Sequence, residues 1–248
     1  MRSLFMPHDI RIGTAGWSFP RPLPDFPTDG TGLERYAAVF NCVEINSSFY
    51  RPHQRKTYER WAASTPVGFR FAVKVPRTIT HERRLVDVGE PLARFINECA
   101  GLDEKLGPLL IQLPPSLKFD LDVVTRFLTG WRQATPAASV LEPRHASWFT
   151  PQADAVLSAS QFARVAADPA VVPDATEPGG WPGLTYRRLH GSPVMYATSY
   201  DNGRLEPAAR QIEDGTAEAW VVFDNTQFGA ATTDALKLMA LTSSPPAR

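Results

Sequence analysis

Along this chain, short apolar runs alternate with stretches whose apolar residues recur every three or four positions, the spacings of strand and of helix. Eight runs read as strands: 10–14, 42–47, 69–75, 109–113, 137–141, 163–167, 185–190 and 219–223. Between them the pattern predicts helices over 33–40, 54–63, 90–106, 121–131, 151–160, 207–214 and 230–241. Leu33, Tyr36, Ala37 and Phe40 form one apolar helical face; Val124, Phe127, Leu128 and Trp131 form another. Thr150-Pro151 is a helix-start signal, a capping hydroxyl ahead of a proline at the first helical position. The stretch 169–183 holds four prolines and three glycines, so it cannot be an ordinary helix.

Regular β-then-α units without a break in composition predict an α/β fold. The expected architecture is a TIM-like (β/α)8 barrel, a single domain over residues 1–248, with an irregular Pro/Gly-rich connection replacing helix six. An open, doubly wound sheet is the alternative arrangement of the same elements.

In such barrels the site lies at the C-terminal ends of the strands. Those ends carry Thr14 and Trp17, then Glu44, Asn46 and Tyr50, then Lys74 with His81, then Gln112. Glu142, Arg144, His145 and Trp148 follow, then Asp168, Arg188 with His190, and Asp224 with Asn225. Strand alternation puts Glu44 with Asn46, Glu142 with Arg144, and Arg188 with His190 on common faces. Charges gathered at converging strand ends cost free energy unless they pair or bind something. The ring therefore reads as a ligand site. Lys74, Arg144 and Arg188 are candidates to hold an anionic group, flanked by Trp17, Tyr50 and Trp148. Glu44 or Glu142 is the candidate general base, and His145 or His190 the proton carrier.

Charge and motif content narrow the chemistry. Lys plus Arg and Asp plus Glu number 26 each, so no global basic field favours nucleic acid. Nine Lys or Arg fall between Arg51 and Arg84, against Glu59 and Glu82, which leaves a local basic rim. No GxGxxG, GK[ST] or GxSxG motif occurs, so no nucleotide-cofactor motif or nucleophile elbow is expected. A divalent metal is the alternative cofactor; without HxH or HExxH, its candidate ligands are Asp168 and Asp224. Cys42 and Cys99 sit in apolar segments and read as buried thiols. No window reaches the roughly 18 apolar residues of a membrane span, and the expectation is a cytoplasmic protein with no membrane partner. The leading partner is a small polar or anionic ligand of phosphate- or nucleotide-like character. Two alternatives stand beside it: metal-assisted phosphodiester hydrolysis, and a non-catalytic nucleic-acid or protein binding module using the basic rim. Zero net charge supports the last least.

Several segments carry a family resemblance. Gly13-Thr14-Ala15-Gly16-Trp17-Ser18 resembles a GTSGW opening with Ala15 for serine, and Glu44-Ile45-Asn46-Ser47-Ser48-Phe49-Tyr50 resembles ExNxSFY. Phe71-Ala72-Val73-Lys74 with Ile79-Thr80-His81 is similar to FxxK…ITH, and 106–115 to LGxxLxQLPP. Glu142-Pro143-Arg144-His145 with Ser147-Trp148 resembles EFRHxSW with Pro143 for phenylalanine. Arg188-Leu189-His190-Gly191 matches RLHG, and Phe223-Asp224-Asn225-Thr226 resembles FNNT with Asp224 for asparagine. Together they resemble the domain of unknown function 72, or YecE-like, family from Gly13 to Leu238. The resemblance implies a TIM-barrel fold and supplies no reaction.

Overall fold

The computed structural model of the chain describes residues 10–18 and 24–243. Pro20 and Pro22, in the segment between the first strand and the first helix, lie outside the described residues. In chain order the elements are β1 (Ile10–Thr14), α1 (Gly32–Ala37), β2 (Cys42–Ile45), α2 (Ser47–Tyr50), α3 (Arg55–Ala63) and β3 (Arg70–Lys74). Next come α4 (Gly89–Cys99), β4 (Leu106–Gln112), α5 (Leu121–Ala134), β5 (Ser139–Glu142), α6 (Pro151–Ala159), β6 (Phe162–Arg164) and β7 (Ala166–Asp168). The last are β8 (Gly179–Gly180), β9 (Leu184–Leu189), α7 (Asn202–Glu213), β10 (Glu218–Phe223) and α8 (Ala230–Ser243).

Local signals explain several helix starts. Thr31 and Glu34 form a reciprocal capping box on α1. Asp120 accepts from the amides of Asp122 and Val123 at the start of α5. The Thr150 hydroxyl caps α6, with Pro151 in its first turn as its sequence predicts. Two helices depart from expectation. The helix expected over 90–106 ends at Cys99 and continues as a 3-10 segment, Ala100–Lys105. The cause is a close approach to α3, since a Cβ on Gly101 would meet the Arg55 carbonyl oxygen at 2.6 Å. The helix expected from 207 starts five residues earlier, because Asp201 caps the Arg204 amide. Pro207 lies inside it and forgoes one backbone hydrogen bond.

The strands form two sheets, a four-stranded one ordered β1-β10-β9-β7 and a six-stranded one ordered β2-β3-β4-β5-β6-β8. All pairings are parallel except β6 with the two-residue β8. The Pro/Gly stretch 169–183 supplies β8 and a 3-10 turn, Pro173–Thr176, in place of a helix. The sheets meet at two places. Ala15 bridges to Glu44 in parallel register, and the Gly16 amide donates to the Glu44 carbonyl at 2.9 Å. At the other side, β6 and β7 are separated by Val165 alone. The Val165 amide donates to the Leu141 carbonyl of β5, whereas Ala166 to Asp168 pair with β9.

Two apolar clusters divide the core by strand alternation. Val43, Ile45, Phe71, Val73 and Ile111 pack with helix residues such as Tyr58, Leu92, Phe127 and Leu157. A second cluster is made of residues on the opposite strand faces, Cys42, Ala72, Leu110, Val140, Ala163, Tyr186, Trp220 and Val222. It draws on both sheets, so their inner faces share one core. Among the described residues no helix is long and apolar enough to cross a membrane.

Candidate functional site

Two residues along six of the strands from that inner cluster, the side chains turn polar. Cys42 is followed on its face by Glu44, Ala72 by Lys74, Leu110 by Gln112, Val140 by Glu142, Tyr186 by Arg188, and Val222 by Asp224. Register confirms the level, since Gln112 pairs with Glu142 in adjacent strands. The period of two that builds the apolar layer also stacks a charged layer on top of it.

Arg188 is the hub and is fully buried. Its Nε and Nη2 donate to Glu44 Oε2 and Oε1 at 3.0 and 2.7 Å. Nη1 donates to Glu142 Oε2 at 2.8 Å, and Nη2 also to Asp224 Oδ2 at 3.0 Å. The Tyr186 hydroxyl adds a bond to Glu44 Oε2 at 2.9 Å. A buried guanidinium is tolerable only when its donors are satisfied in this way. Burial, outweighed by the three carboxylates, leaves the Arg188 pKa well above its ordinary value.

His190 occupies the second junction. Its Nδ1 lies 3.0 Å from Asp224 Oδ2, and its Nε2 lies 3.0 Å from Glu142 Oε1 and 2.7 Å from Arg144 Nη2. An ionised Asp224 accepts only, so the hydrogen-bond network assigns a proton to Nδ1. Nε2 then faces a donor and an acceptor together. Without a proton it accepts from Arg144; with one it donates to Glu142. Arg144 Nη2 also pairs with Glu142 Oε1 at 2.5 Å. Burial alone raises the Glu142 carboxyl, yet Arg144 and Arg188 hold it well below the usual range. Asp224 is likewise held low, its burial outweighed by Arg188 and His190.

Lys74 belongs to this layer but stands apart in its bonding. It is 7% exposed, and its Nζ makes no ion pair or hydrogen bond among the described residues. Its near neighbour is the ring face of Phe49, 4.4 Å from Nζ to the centroid. Burial and then the Arg188 charge push its pKa down to about 8, against the pull of Glu44, Glu142 and Asp224. Phe49 is placed by the short helix α2, where the Ser48 hydroxyl bonds the carbonyls of Ile45 and Lys74 at 3.0 and 2.6 Å. Tyr50 and His81 each meet Phe49 edge-on, with centroids 5.0 Å apart. The neighbouring Thr80 hydroxyl lies 2.8 Å from His81 Nδ1. Two buried polar atoms of the layer lack partners: Asn46 Oδ1 and Arg144 Nε. The Asn46 amide nitrogen faces Asp224 Oδ1 at 3.5 Å.

Thus Glu44, Asn46, Lys74, Glu142, Arg144, Arg188, His190 and Asp224 come together, with Gln112 in register beside Glu142 and Tyr50 and His81 at the Phe49 edge. Other candidates stand elsewhere. Trp148 is fully buried, its indole donating to the Leu117 carbonyl at 2.9 Å, so it offers no face to a ligand. His145 caps the 3-10 turn Ala146–Trp148 by accepting from the Ser147 amide. Thr14 bonds the Gly16 carbonyl and Tyr36, and Trp17 packs edge-on against Trp61 at 5.1 Å. Asn225 donates to the Thr198 carbonyl and to Asp234, and so anchors a loop. The two aspartates proposed for a metal are held apart by their partners. Asp168 pairs with Arg204 at 3.1 Å, whereas Asp224 faces Arg188 and His190. Among the described residues no group of three or more His, Cys, Asp or Glu is placed to hold a metal ion.

Tyr196 joins the site without a sequence signal. Its ring meets His190 edge-on at 5.8 Å, and its backbone is left-handed at φ 66°. A bulky residue at positive φ is strained and is held there by its surroundings. Here the amide donates to the His190 carbonyl at 2.5 Å, and the carbonyl accepts from Gln227 at 3.0 Å. Tyr186 is also absent from the sequence candidates, although it stands two residues before Arg188 on one strand face.

The fold and the layer define a mixed α/β protein with parallel sheets and a buried ionic network at its strand ends. The family described as protein of unknown function DUF72 matches residues 11–247, and the chain belongs to it. It is 34% identical over 105 residues to the UPF0759 protein YecE of Escherichia coli K12, 42% of this chain and 38% of that one. It is 28% identical over 149 residues to the UPF0759 protein YunF of Bacillus subtilis strain 168, 57% of this chain and 53% of that one. The chain thus spans 38% to 53% of the length of the curated relatives it matches. A DUF72 family protein of Enterococcus faecalis V583 superposes with TM-score 0.78 at 21% identity, over 96% of this chain and 97% of that one. One from Thermotoga maritima MSB8 gives 0.76 at 24%, over 96% and 100%. A sugar phosphate isomerase/epimerase from Parabacteroides distasonis gives 0.52 at 13%, over 98% and 96%. These likenesses to solved structures are ones of fold.

Proposed function

We propose that the two sheets close into one (β/α)8 barrel, a single domain, whose mouth binds a small ligand carrying an anionic, phosphate-like group. Closure is supported by the Ala15–Glu44 bridge and by the passage of 162–168 from one sheet to the other. The shared inner cluster is the core such a barrel requires.

The observation that carries the ligand reading is the imbalance between Lys74 and Arg188. Every carboxylate of the layer is engaged by Arg188, Arg144 or His190, and the Arg188 donors are spent on them. Among the described residues the amine of the buried Lys74 has no such partner, and Arg144 keeps an unbonded buried Nε. Buried donors without acceptors cost stability, and an arriving anion recovers it. Arg188 is then a structural hub, and Arg144 with Lys74 meets the ligand. Both oxygens of Glu44 and of Glu142 are taken by Arg188, Tyr186, Arg144 and His190, which leaves His190 as the proton carrier. The fold likeness to a sugar phosphate isomerase/epimerase agrees with this reading without carrying it.

The test is thermal unfolding with inorganic phosphate and a panel of phosphorylated metabolites. A ligand at one hundred times its Kd adds about 2.7 kcal/mol, or several degrees. We expect that shift in the native chain and its loss in Lys74→Ala and Arg144→Ala. No shift with any ligand, or one indifferent to both substitutions, refutes the reading.

A further inference from the structure

Lys74 differs from the chain's other lysines in being a buried residue whose amine has no bonded partner among the described residues. Lys56 and Lys118 are exposed. Lys105 Nζ donates to the carbonyls of Ala62 and Thr65 at 2.6 and 2.5 Å, and Lys237 pairs with Asp234 at 3.1 Å. Lys74 Nζ instead lies over the Phe49 ring, and its backbone is fixed by the Ser48 hydroxyl on its carbonyl. The charged groups acting on it are Arg188 of β9, Glu44 of β2, Glu142 of β5 and Asp224 just after β10, and it acts in turn on His81. Burial and Arg188 bring its pKa to about 8, so a large share of the amine is neutral in mildly alkaline solution. An amine desolvated by an apolar neighbour and set beside another cation is the arrangement that turns lysine into a nucleophile.

We infer that Lys74 condenses with the aldehyde or ketone carbon of an anionic substrate to form an imine. This rests on the reading of the mouth as an anion site and adds a carbonyl to the ligand. Arg144 holds the anionic group and Lys74 the carbonyl. The neutral amine attacks the carbonyl carbon; the C–N bond forms, the C=O π bond breaks, and an amine proton passes to the oxygen. That oxygen then leaves as water with a second proton, delivered by His190. In sum, a lysine ammonium and a carbonyl give a protonated imine and water, with no oxidant or reductant.

The test incubates the intact chain with glyceraldehyde 3-phosphate at about pH 8, reduces with cyanoborohydride and locates the adduct by peptide mass spectrometry. At that pH an amine of pKa about 8 is roughly half neutral, against about 0.3% for a lysine at the ordinary value of 10.5. Access through the mouth lowers that advantage, and we expect Lys74 to be labelled at least about tenfold faster than Lys56 or Lys118. Labelling of the exposed lysines as fast as Lys74 overturns the inference. Lys74→Arg keeps the charge and is expected to lose the adduct while the background on Lys56 and Lys118 is unchanged. Inorganic phosphate, followed by thermal shift in parallel, separates the two claims. A phosphate shift without a Lys74 adduct overturns the nucleophile and leaves the anion site; neither signal overturns both.

Discussion

Arg144 Nη2 lies 2.7 Å from His190 Nε2, while Glu142 Oε1 lies 3.0 Å from the same nitrogen. A guanidinium donates and a carboxylate accepts, so one imidazole nitrogen chooses between them with each proton gained or lost. Replacing Arg144 with methionine removes the donor and leaves Nε2 committed to Glu142. We expect the His190 Nε2 15N shift at pH 7 to differ between the native chain and Arg144→Met. Indistinguishable shifts in the native chain and the variant would count against a shared nitrogen.

The Arg188 hub makes its removal costly. Arg188→Met leaves three carboxylates buried without their main partner. Breaking one partner of a buried network costs about 3–5 kcal/mol. Urea denaturation checks it, and a loss under about 1 kcal/mol would show that the network is not a unit.

Lys74 has the opposite sign. Its folded pKa lies below the ordinary value of 10.5, at about 8, so the unfolded chain binds more protons between those values. Stability therefore rises with pH across that window. Below it, the buried ammonium destabilises the fold at full strength. Lys74→Met removes the charge and is expected to stabilise the chain by about 1–3 kcal/mol at pH 7, while flattening that rise. Denaturation midpoints of both proteins at pH 7, 8.5 and 10 decide it.

Glu142 works at the acid end. Its folded pKa is depressed, so the stabilisation it brings is present above its ordinary value of 4.5 and is lost as pH falls below it. We expect native stability to drop on acidification from pH 5 to pH 3 more steeply than in Glu142→Gln. Parallel slopes would remove Glu142 as a contributor.

Asp234 anchors the loop that brings Tyr196 to the site. It is fully buried and accepts from Ser199 Oγ, the Tyr200 amide and Asn225 Nδ2 at 2.6, 2.9 and 2.8 Å. Asp234→Ala strands those donors, and we expect about 2–4 kcal/mol of destabilisation. Amide exchange over 191–200 should accelerate more than in the strands; uniform protection loss would contradict a local anchor.

Much of this site was legible in the sequence because strand alternation is a local rule. Glu44, Glu142, Arg188 and Asp224 follow apolar residues of the inner cluster at a spacing of two, which periodicity reads directly. What failed depended on contacts between distant segments. The strand expected to reach 47 stops at Ile45, because the Ser48 hydroxyl ties the chain to Lys74 across two strands. Trp148 and His145 follow Glu142 closely in sequence. The 3-10 turn Ala146–Trp148 carries the indole into the core, and His145 closes that turn as its cap. Tyr196 lies in a loop without periodicity, positioned by hydrogen bonds to His190 and Gln227.

The central claim, an anion in the mouth between the saturated Arg188 network and Lys74, is tested most directly by crystals soaked in sodium tungstate and measured at the tungsten edge. The account expects an anomalous peak against Lys74 Nζ or Arg144 Nε, absent in Lys74→Met. Peaks confined to exposed cations such as Arg83 and Lys118, with none at the mouth, would contradict it.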